Sequence, residues 1–236
     1  MERTTLVAFY GDKPRALEST IRGVQERTAS LLPGFVARPM PEVHATVIGL
    51  ETPTRVVGLD EMRRFLDHVG TSLDRADVVA QFGGFLDRDQ PLRSRGRRPY
   101  ERSFVVSGEN VVLIGWPVRP NDGVPIPVLD DLRRSYQRFG FRHRYHTTSA
   151  DTDPDCYLVI GRLPAGDDRP PADTALLAAA EDEIRRFLAA SPGTLVPLRS
   201  QDISLVRYEE ATLVEATSHA YPIGDIDADR IRALLA

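Results

Sequence analysis

A histidine and a threonine two positions apart, His44 and Thr46, are the residues whose types and spacing most clearly suggest chemistry. They lie in an apolar run, Val43 to Leu50, that predicts a buried β-strand. Side chains two positions apart on a strand point to the same face. Histidine exchanges protons near neutral pH, and a hydroxyl beside it can bind an oxygen of a substrate. The pair therefore predicts an acid–base group next to a hydrogen-bond donor.

A second pair with the same spacing, His146 and Thr148, occurs in the later half of the chain. Two such pairs facing each other would supply an acid, a base and two hydroxyls around one phosphate. Cleavage of a ribose phosphodiester requires one group to take a proton from the attacking oxygen and another to give one to the leaving oxygen. Fixed hydroxyls stabilise the charge that develops on the phosphate oxygens. The two pairs predict phosphodiester chemistry without a metal.

The elements that must position these pairs follow an α+β order. Apolar runs predict strands over 6–10, 43–50, 78–86, 104–106, 111–116, 157–161, 203–208 and 211–216. Helical periodicity predicts helices over 14–32, 59–73, 128–139, 173–190 and 229–235. Each half of this order contains a histidine segment, helices and further strands. We expect an α+β fold with two lobes and outer helices.

In this element order and in His44–x–Thr46, the chain resembles the two-histidine (2H) phosphoesterase superfamily, which includes 2′,5′ RNA ligase-like proteins and cyclic nucleotide phosphodiesterases. The opening segment 6–32 and the closing segment 203–208, followed by Tyr221, resemble the family as well. The resemblance implies a single bilobal domain over 1–236, with two antiparallel sheets, outer helices and a central groove. It implies that His44 and His146 are the catalytic acid and base, that Thr46 and Thr148 hold the phosphate, and that no metal or cofactor takes part.

The second motif departs from the family pattern. In the family the second histidine lies inside an apolar strand that ends in Gly-Arg, and here that strand covers 156–163. Its histidine slot falls on Tyr157 or Cys156, and its hydroxyl slot falls on Val159 or Leu158.

Two interpretations of this departure are open. Either His146 and Thr148 form the true pair, with a loop inserted behind them, or the second half-site is degenerate. We favour the first, because His146 follows a helix and a glycine, where the family places its second motif. His143 is a further alternative, although Tyr145 stands where its hydroxyl partner should be.

Two tyrosines and one loop are further candidates for substrate binding. Tyr10, at the end of the first strand, and Tyr157 are predicted to contact the substrate, Tyr10 by stacking on a base; an ordinary strand-end tyrosine is the alternative. A loop rich in arginine either grips RNA phosphates or is simply solvated. Its arginines are Arg93, Arg95, Arg97, Arg98 and Arg102.

Composition narrows the class of protein. The net charge of −4 argues against general electrostatic binding of nucleic acid. Cys156 is the only cysteine, which excludes an internal disulfide and a multi-thiolate metal site. No apolar run approaches the roughly 18 to 20 residues that span a membrane, and no signal pattern is present. Lys13 is the only lysine among 30 cations, a bias that genomic codon usage explains as well as phosphate binding does.

These observations predict a cytoplasmic, monomeric phosphodiesterase that acts on nucleotides or RNA with a 2′,3′-cyclic phosphate or a 2′-5′ linkage. The alternative is a non-catalytic module of the same fold that binds a nucleotide or RNA end. A protein-interaction domain is a third possibility, and it predicts no arginine-lined groove.

Overall fold

The computed structural model describes residues 3–51, 53–88, 90–148, 151–163 and 171–235. Its strands are β1 (Arg3–Ala8), β2 (Val36–Ala37), β3 (Ala45–Gly49), β4 (Val79–Phe82), β5 (Phe104–Ser107), β6 (Asn110–Val118), β7 (Cys156–Arg162), β8 (Thr194–Pro197), β9 (Ile203–Tyr208) and β10 (Ser218–Pro222). Its α-helices are α1 (Arg15–Leu31), α2 (Leu59–Ala76), α3 (Val128–Ser135), α4 (Pro171–Ala189) and α5 (Ala228–Leu235). The predicted α+β class is confirmed.

The strands form one antiparallel sheet in the order β10-β9-β1-β3-β7-β6-β4-β8, with β2 added to β7 and β5 to β6. Two separate sheets are therefore not confirmed, because hydrogen bonds connect all the described strands. The middle of this sheet is its thinnest connection. There β3 and β7 pair only through Ala45 and Leu158, so the two halves of the sheet separate on either side of that pair.

All five helices pack on one face of the sheet. Val43, Ala45 and Val47 point into this core, where they join Leu17 of α1 and Phe65 of α2. Burial of each such side chain contributes about 1.5–3 kcal/mol to stability. Amphipathic periodicity in the helices and alternation in the strands explain this layering.

The face of the sheet opposite the helices is called the inner face below. It has one small apolar cluster in each half of the sheet. The cluster of the first half is built on Val7, Val206, Tyr208 and Leu213. The cluster of the second half is built on Phe85, Val105, Val112, Ile114, Trp116 and Val118.

Four segment predictions need correction. The strand predicted over 6–10 covers Arg3–Ala8 instead, and Phe9 has φ +63°, so Tyr10 lies beyond the strand. The strand predicted over 211–216 is wrong: Leu213 has φ +52°, and the strand that pairs with β9 is β10. The strand predicted over 78–86 ends at Phe82, because Gly83 and Gly84 both have positive φ. The helix predicted over 128–139 changes to a 3-10 helix after Ser135. Strands β2 and β8 were not predicted, since they have only two and four residues.

Candidate functional site

His44 and Thr46 lie side by side on the inner face. Their neighbours Val43, Ala45 and Val47 point into the helix-covered core, so the alternation of an extended chain directs His44 and Thr46 the other way. His44 precedes the first residue of β3, and Thr46 lies within it. Thr46 is half-buried, and its hydroxyl makes no hydrogen bond within the described part of the chain. The predicted first pair therefore shares one face of the sheet, with a hydroxyl available to a ligand.

The protonation state of His44 is set by its surroundings. Its Nδ1 lies 2.7 Å from the carbonyl oxygen of Glu42, and because a carbonyl only accepts, Nδ1 must carry the hydrogen. Burial lowers the pKa of His44 to about 4; the bond to Glu42 opposes this effect, while the positive charges of Arg38 and Lys13 add to it. At neutral pH the ring is therefore uncharged, with the lone pair on Nε2. It can accept a hydrogen bond or a proton.

Two cations that sequence reasoning missed lie near His44. Burial lowers the pKa of Lys13 to about 8, and its ammonium donates to the carbonyl of Gly11 at 2.8 Å. Arg38 is half-buried, and within the described residues its guanidinium makes no hydrogen bond or ion pair. Glu42 is the carboxylate whose charge acts on Arg38. The uniqueness of Lys13 was the only available signal, and codon bias offered an equal explanation.

Tyr10 completes this end of the inner face. Its ring meets that of His44 edge-on, with centroids 6.0 Å apart, and its hydroxyl donates to the carbonyl of Leu213 at 3.1 Å. Burial raises the pKa of Tyr10, so the phenol stays protonated at neutral pH. The predicted contact residue therefore lies beside His44, although its hydroxyl already has a partner.

Tyr157 and Val159 flank the point at which β3 and β7 meet. Ala45 of β3 pairs with Leu158 of β7, and Tyr157 and Val159 are the residues of β7 on either side of that pair. Leu158 belongs to the helix-covered core, whereas Tyr157 packs against the inner-face cluster of the second half. Tyr157 and Val159 thus face the same way as His44 and Thr46.

His146 and Thr148 are not on a strand. Both lie in the loop that precedes β7. His146 is buried, and its Nε2 lies 2.8 Å from Oδ1 of Asp130 on α3. Thr148 is exposed, and its backbone N–H donates to Asp151. The structure places His44 and Thr46 together on the inner face, and places His146 with the side chains described next.

A buried cluster of ionised side chains surrounds His146. Nε2 of the alternative candidate, His143, lies 2.9 Å from Asp153, and its ring centroid is 5.2 Å from that of His146. Arg134 pairs with Asp130 at 2.7 Å, and Arg102 pairs with Asp155 at 2.6 Å. Burial alone would raise the pKa of Asp130, but hydrogen bonds from Asp153 N–H, Arg134 and His146 lower it. These contacts hold the loop before β7 against α3.

Arg133 of α3 closes the gap between the two halves of the sheet. It donates to the carbonyl oxygens of Val47 at 3.1 Å, Thr46 at 3.0 Å and Asp155 at 3.1 Å, and also to that of Asp153. Its guanidinium thus takes the place of backbone N–H groups where β3 and the chain entering β7 no longer pair. Sequence reasoning missed this role, because nothing local distinguishes Arg133 from its neighbour Arg134.

The arginine-rich loop does not act as one arm. Arg102 is buried in its ion pair with Asp155, and Arg98 pairs with Asp87 and Glu101. Arg95 is different, because its guanidinium stacks 3.7 Å from the ring centroid of Tyr145. The prediction that this loop binds RNA phosphates therefore applies to the residues near Arg95.

The described residues contain neither a metal-binding group nor a membrane-spanning helix. No group of three or more histidine, cysteine, aspartate or glutamate side chains is arranged to hold a metal ion in the described part of the chain. Among the described residues, no helix has the length and apolarity needed to cross a membrane.

Comparison with known proteins gives little. No protein-family model and no curated protein matches the chain. Among solved structures, it is similar to a conserved protein of unknown function from Agrobacterium tumefaciens str. C58, with 15% identity over 84% of this chain and 82% of that one and a TM-score of 0.38. A TM-score this low supports no argument about fold or function.

Proposed function

We propose that this protein binds a phosphorylated ligand, a nucleotide or an RNA end, on the inner face of its sheet, through the half-site of His44 and Thr46. The observation that carries the proposal is the content of the opposite half: Tyr157 and Val159, on either side of the β7 residue that pairs with Ala45, stand where a second histidine and hydroxyl would be needed. His146, the histidine needed for a second half-site, is engaged by Asp130. A half-site of this kind binds phosphate but lacks the second proton carrier.

The charges around His44 support an anionic ligand. Lys13 and Arg38 both act on its pKa, and the Arg38 fork has hydrogen-bond donors to spare. Arginine bonds two phosphate oxygens at once, and the Thr46 hydroxyl adds a third donor. Tyr10, edge-on to His44, offers an aromatic surface to a base or ribose.

The arrangement of strands supports the bilobal architecture expected from the two-histidine phosphoesterase resemblance. Four strands, β10-β9-β1-β3, lie on one side of the Ala45–Leu158 pair, and β7-β6-β4-β8 lie on the other. In this proposal each group is one lobe, the whole chain is one domain, and the inner face between the lobes is the groove.

Isothermal titration calorimetry with a 2′,3′-cyclic mononucleotide and a 2′-5′ dinucleotide, with chelator present, tests the proposal. We expect binding by the native protein and at least a tenfold loss of affinity in His44→Ala, about 1.4 kcal/mol. His219→Ala removes an exposed histidine outside the site and should bind normally. Equal affinities of His44→Ala and the native protein would refute the proposal.

The second candidate is the metal-independent phosphodiesterase predicted from the sequence. One observation favours it: the Nε2 lone pair of His44 can take a proton from an attacking water. The oxygen of the water would then bond to phosphorus while the P–O bond to a ribose oxygen breaks, and that oxygen needs a proton from a second group. His146 would have to leave Asp130 to supply it, or the Tyr157 phenol, whose pKa burial raises, would supply it instead.

Product analysis separates the two candidates. Incubation with the same ligands should leave them intact if the protein only binds. Hydrolysis that is lost in His146→Ala or Tyr157→Phe, in variants whose circular dichroism is unchanged, would establish the enzyme and identify its second proton carrier.

A further inference from the structure

A cleft of about 450 Å³ near Tyr157 contains Arg95, the arginine of the loop that stacks on an aromatic ring. It is lined by Arg95, Gly96, Arg144, Tyr145, Thr147, Asp151 and Thr152. None of the contacts in the His44 site uses it.

Arg95 has an unfavourable backbone conformation in this cleft. Ser94 and Arg97 exchange two backbone hydrogen bonds of 3.0 Å, and the two residues between them, Arg95 and Gly96, have φ of +50° and +76°. Such a two-residue turn favours asparagine, aspartate or glycine at its first position. A non-glycine residue at positive φ is uncommon, and strain of this kind concentrates at functional sites. An arginine at this position points to a use for its side chain.

The Arg95 side chain links the cleft to the inner face. Its guanidinium carbon lies 3.7 Å from the ring centroid of Tyr145 and 5.8 Å from that of Tyr157. Arg144 approaches the same Tyr145 ring at 5.1 Å. Arg144 also lies close enough to Tyr208 for its charge to oppose the rise that burial causes in the pKa of that phenol. The two arginines of the cleft thus lie near aromatic residues of both halves of the sheet, Arg95 near Tyr157 and Arg144 near Tyr208.

The buried aspartates near the cleft also pair with other arginines. Arg102, Arg133 and Arg134 pair with Asp155, Asp153 and Asp130. Arg95 adds an ion pair with Asp153 at 3.6 Å. Within the described residues, Arg144 makes no hydrogen bond or ion pair.

Among the described residues that line the cleft, Asp151 is the carboxylate. Its Oδ2 accepts from the Thr147 hydroxyl and from the Thr148 N–H, both at 2.6 Å. Because Arg95 and Arg144 outnumber Asp151, these lining residues carry a net positive charge. It therefore suits an anion that also presents a planar group to Tyr145.

We propose that this cleft binds a second phosphate, the internucleotide phosphodiester of a ligand whose terminal phosphate lies at His44. The inference rests on the proposed function and extends it: the preferred ligand is an RNA end of at least two nucleotides. The Arg95 and Arg144 guanidiniums bond the phosphodiester oxygens, and Tyr145 provides a surface for a base.

A matched pair of ligands tests this inference by calorimetry at about 0.15 M salt. One is a dinucleotide that ends in a 2′,3′-cyclic phosphate, and the other is the same molecule with a neutral methylphosphonate linkage. We expect the charged linkage to bind about tenfold more tightly to the native protein. Arg144→Gln and Arg95→Gly should remove that preference, and Arg95→Gly also relieves the strained turn, so it should fold normally. Arg63→Gln, an exposed arginine of α2, should keep the preference.

The outcomes separate this inference from the proposed function. Equal affinities of the two ligands in the native protein, or an equal loss in Arg63→Gln, overturn the second phosphate site. If Arg144→Gln changes nothing while His44→Ala abolishes binding, the second site is refuted and the proposed function stands. If His44→Ala binds normally while Arg144→Gln loses the preference, the second site stands and the His44 site is refuted.

Discussion

The two histidine regions of this molecule differ in what faces each imidazole. His44 is buried next to two cations, Lys13 and Arg38, and bonds only to a backbone carbonyl. His143 and His146 are buried next to carboxylates, Asp153 and Asp130, in a cluster whose aspartates are matched by arginines. In the first region the charges that act on the histidine are positive, whereas in the second each histidine lies against an aspartate.

Spacing alone therefore does not assign a function to a histidine. His44–x–Thr46 and His146–x–Thr148 have the same pattern, yet one lies on a sheet face and the other joins a loop to a helix. A surplus of charge around a group indicates a ligand, whereas a balanced cluster indicates a structural role. The following variants test that contrast.

The largest effect should come from the balanced region. Arg133→Met removes the donors to four backbone carbonyls and leaves Asp153 buried with less compensation. We expect the free energy of unfolding to fall by about 3–5 kcal/mol, measured by urea denaturation. Arg63→Met, on the exposed face of α2, is the control. A loss below about 1 kcal/mol would contradict the structural role of Arg133.

A pH dependence should come next, from the unbalanced region. The pKa of His44 is about 4 in the fold and 6.5 as its ordinary value, so between these pH values the unfolded chain binds more protons. The free energy of unfolding must therefore decrease as pH falls from about 6.5 to 4, and His44 contributes about 3 kcal/mol to that decrease. Glu42, Arg38, Lys13 and Tyr10 are the polar groups that face the ring.

The measurement is urea denaturation at several pH values. His44→Gln should reduce the slope of the curve between pH 6.5 and 4. The part due to His143, whose pKa burial also lowers to about 4, should remain. His219→Gln, which changes an exposed ring, should leave the slope unchanged. An identical curve for His44→Gln and the native protein would show that His44 is not held neutral by the fold.

The third variant rebuilds the missing half-site. Tyr157→His with Val159→Thr places a second histidine–x–threonine on the inner face of β7, on either side of the residue that pairs with Ala45. We expect hydrolysis of 2′,3′-cyclic nucleotides at least about 100-fold above that of the native protein, since a positioned acid or base contributes that much or more. Adding His44→Ala to the double variant must remove the gain. Hydrolysis that survives His44→Ala would mean that the two positions do not act on one phosphate.

The smallest effect should separate stability from binding at His146. His146→Ala leaves Asp130 with Arg134 and the Asp153 N–H, so we expect a loss of about 1–3 kcal/mol in the free energy of unfolding. Affinity for the cyclic nucleotide should not change. A variant of native stability that no longer binds would move His146 into the ligand site.

Local pattern was enough to predict most of the fold. Alternation located the His44 strand and β7, and periodicity located all five helices. The pattern failed at two segments. Leu213 takes a left-handed conformation within an apolar run. β8 is short and contributes a single buried residue, so it leaves no apolar run.

The candidate site was predictable only in its first half. His44 and Thr46 share a short segment, so local geometry was enough to pair them. The position of Lys13 and Arg38 beside His44, and of Tyr157 next to the residue that pairs with Ala45, depends on the register between distant segments. The engagement of His146 by Asp130 depends on how a loop packs against α3. Such long-range contacts leave no spacing signal in a single sequence.

Lys13 is suited to chemical labelling of the protein. It is the only lysine in the sequence, and its pKa of about 8, against 10.5 for an ordinary lysine, leaves it a few hundred times more often in the unprotonated, nucleophilic form at pH 7. An amine-reactive fluorophore at that pH should therefore label Lys13 as readily as an α-amino group, whose pKa is also about 8, and so attach a reporter near His44 with no engineered residue.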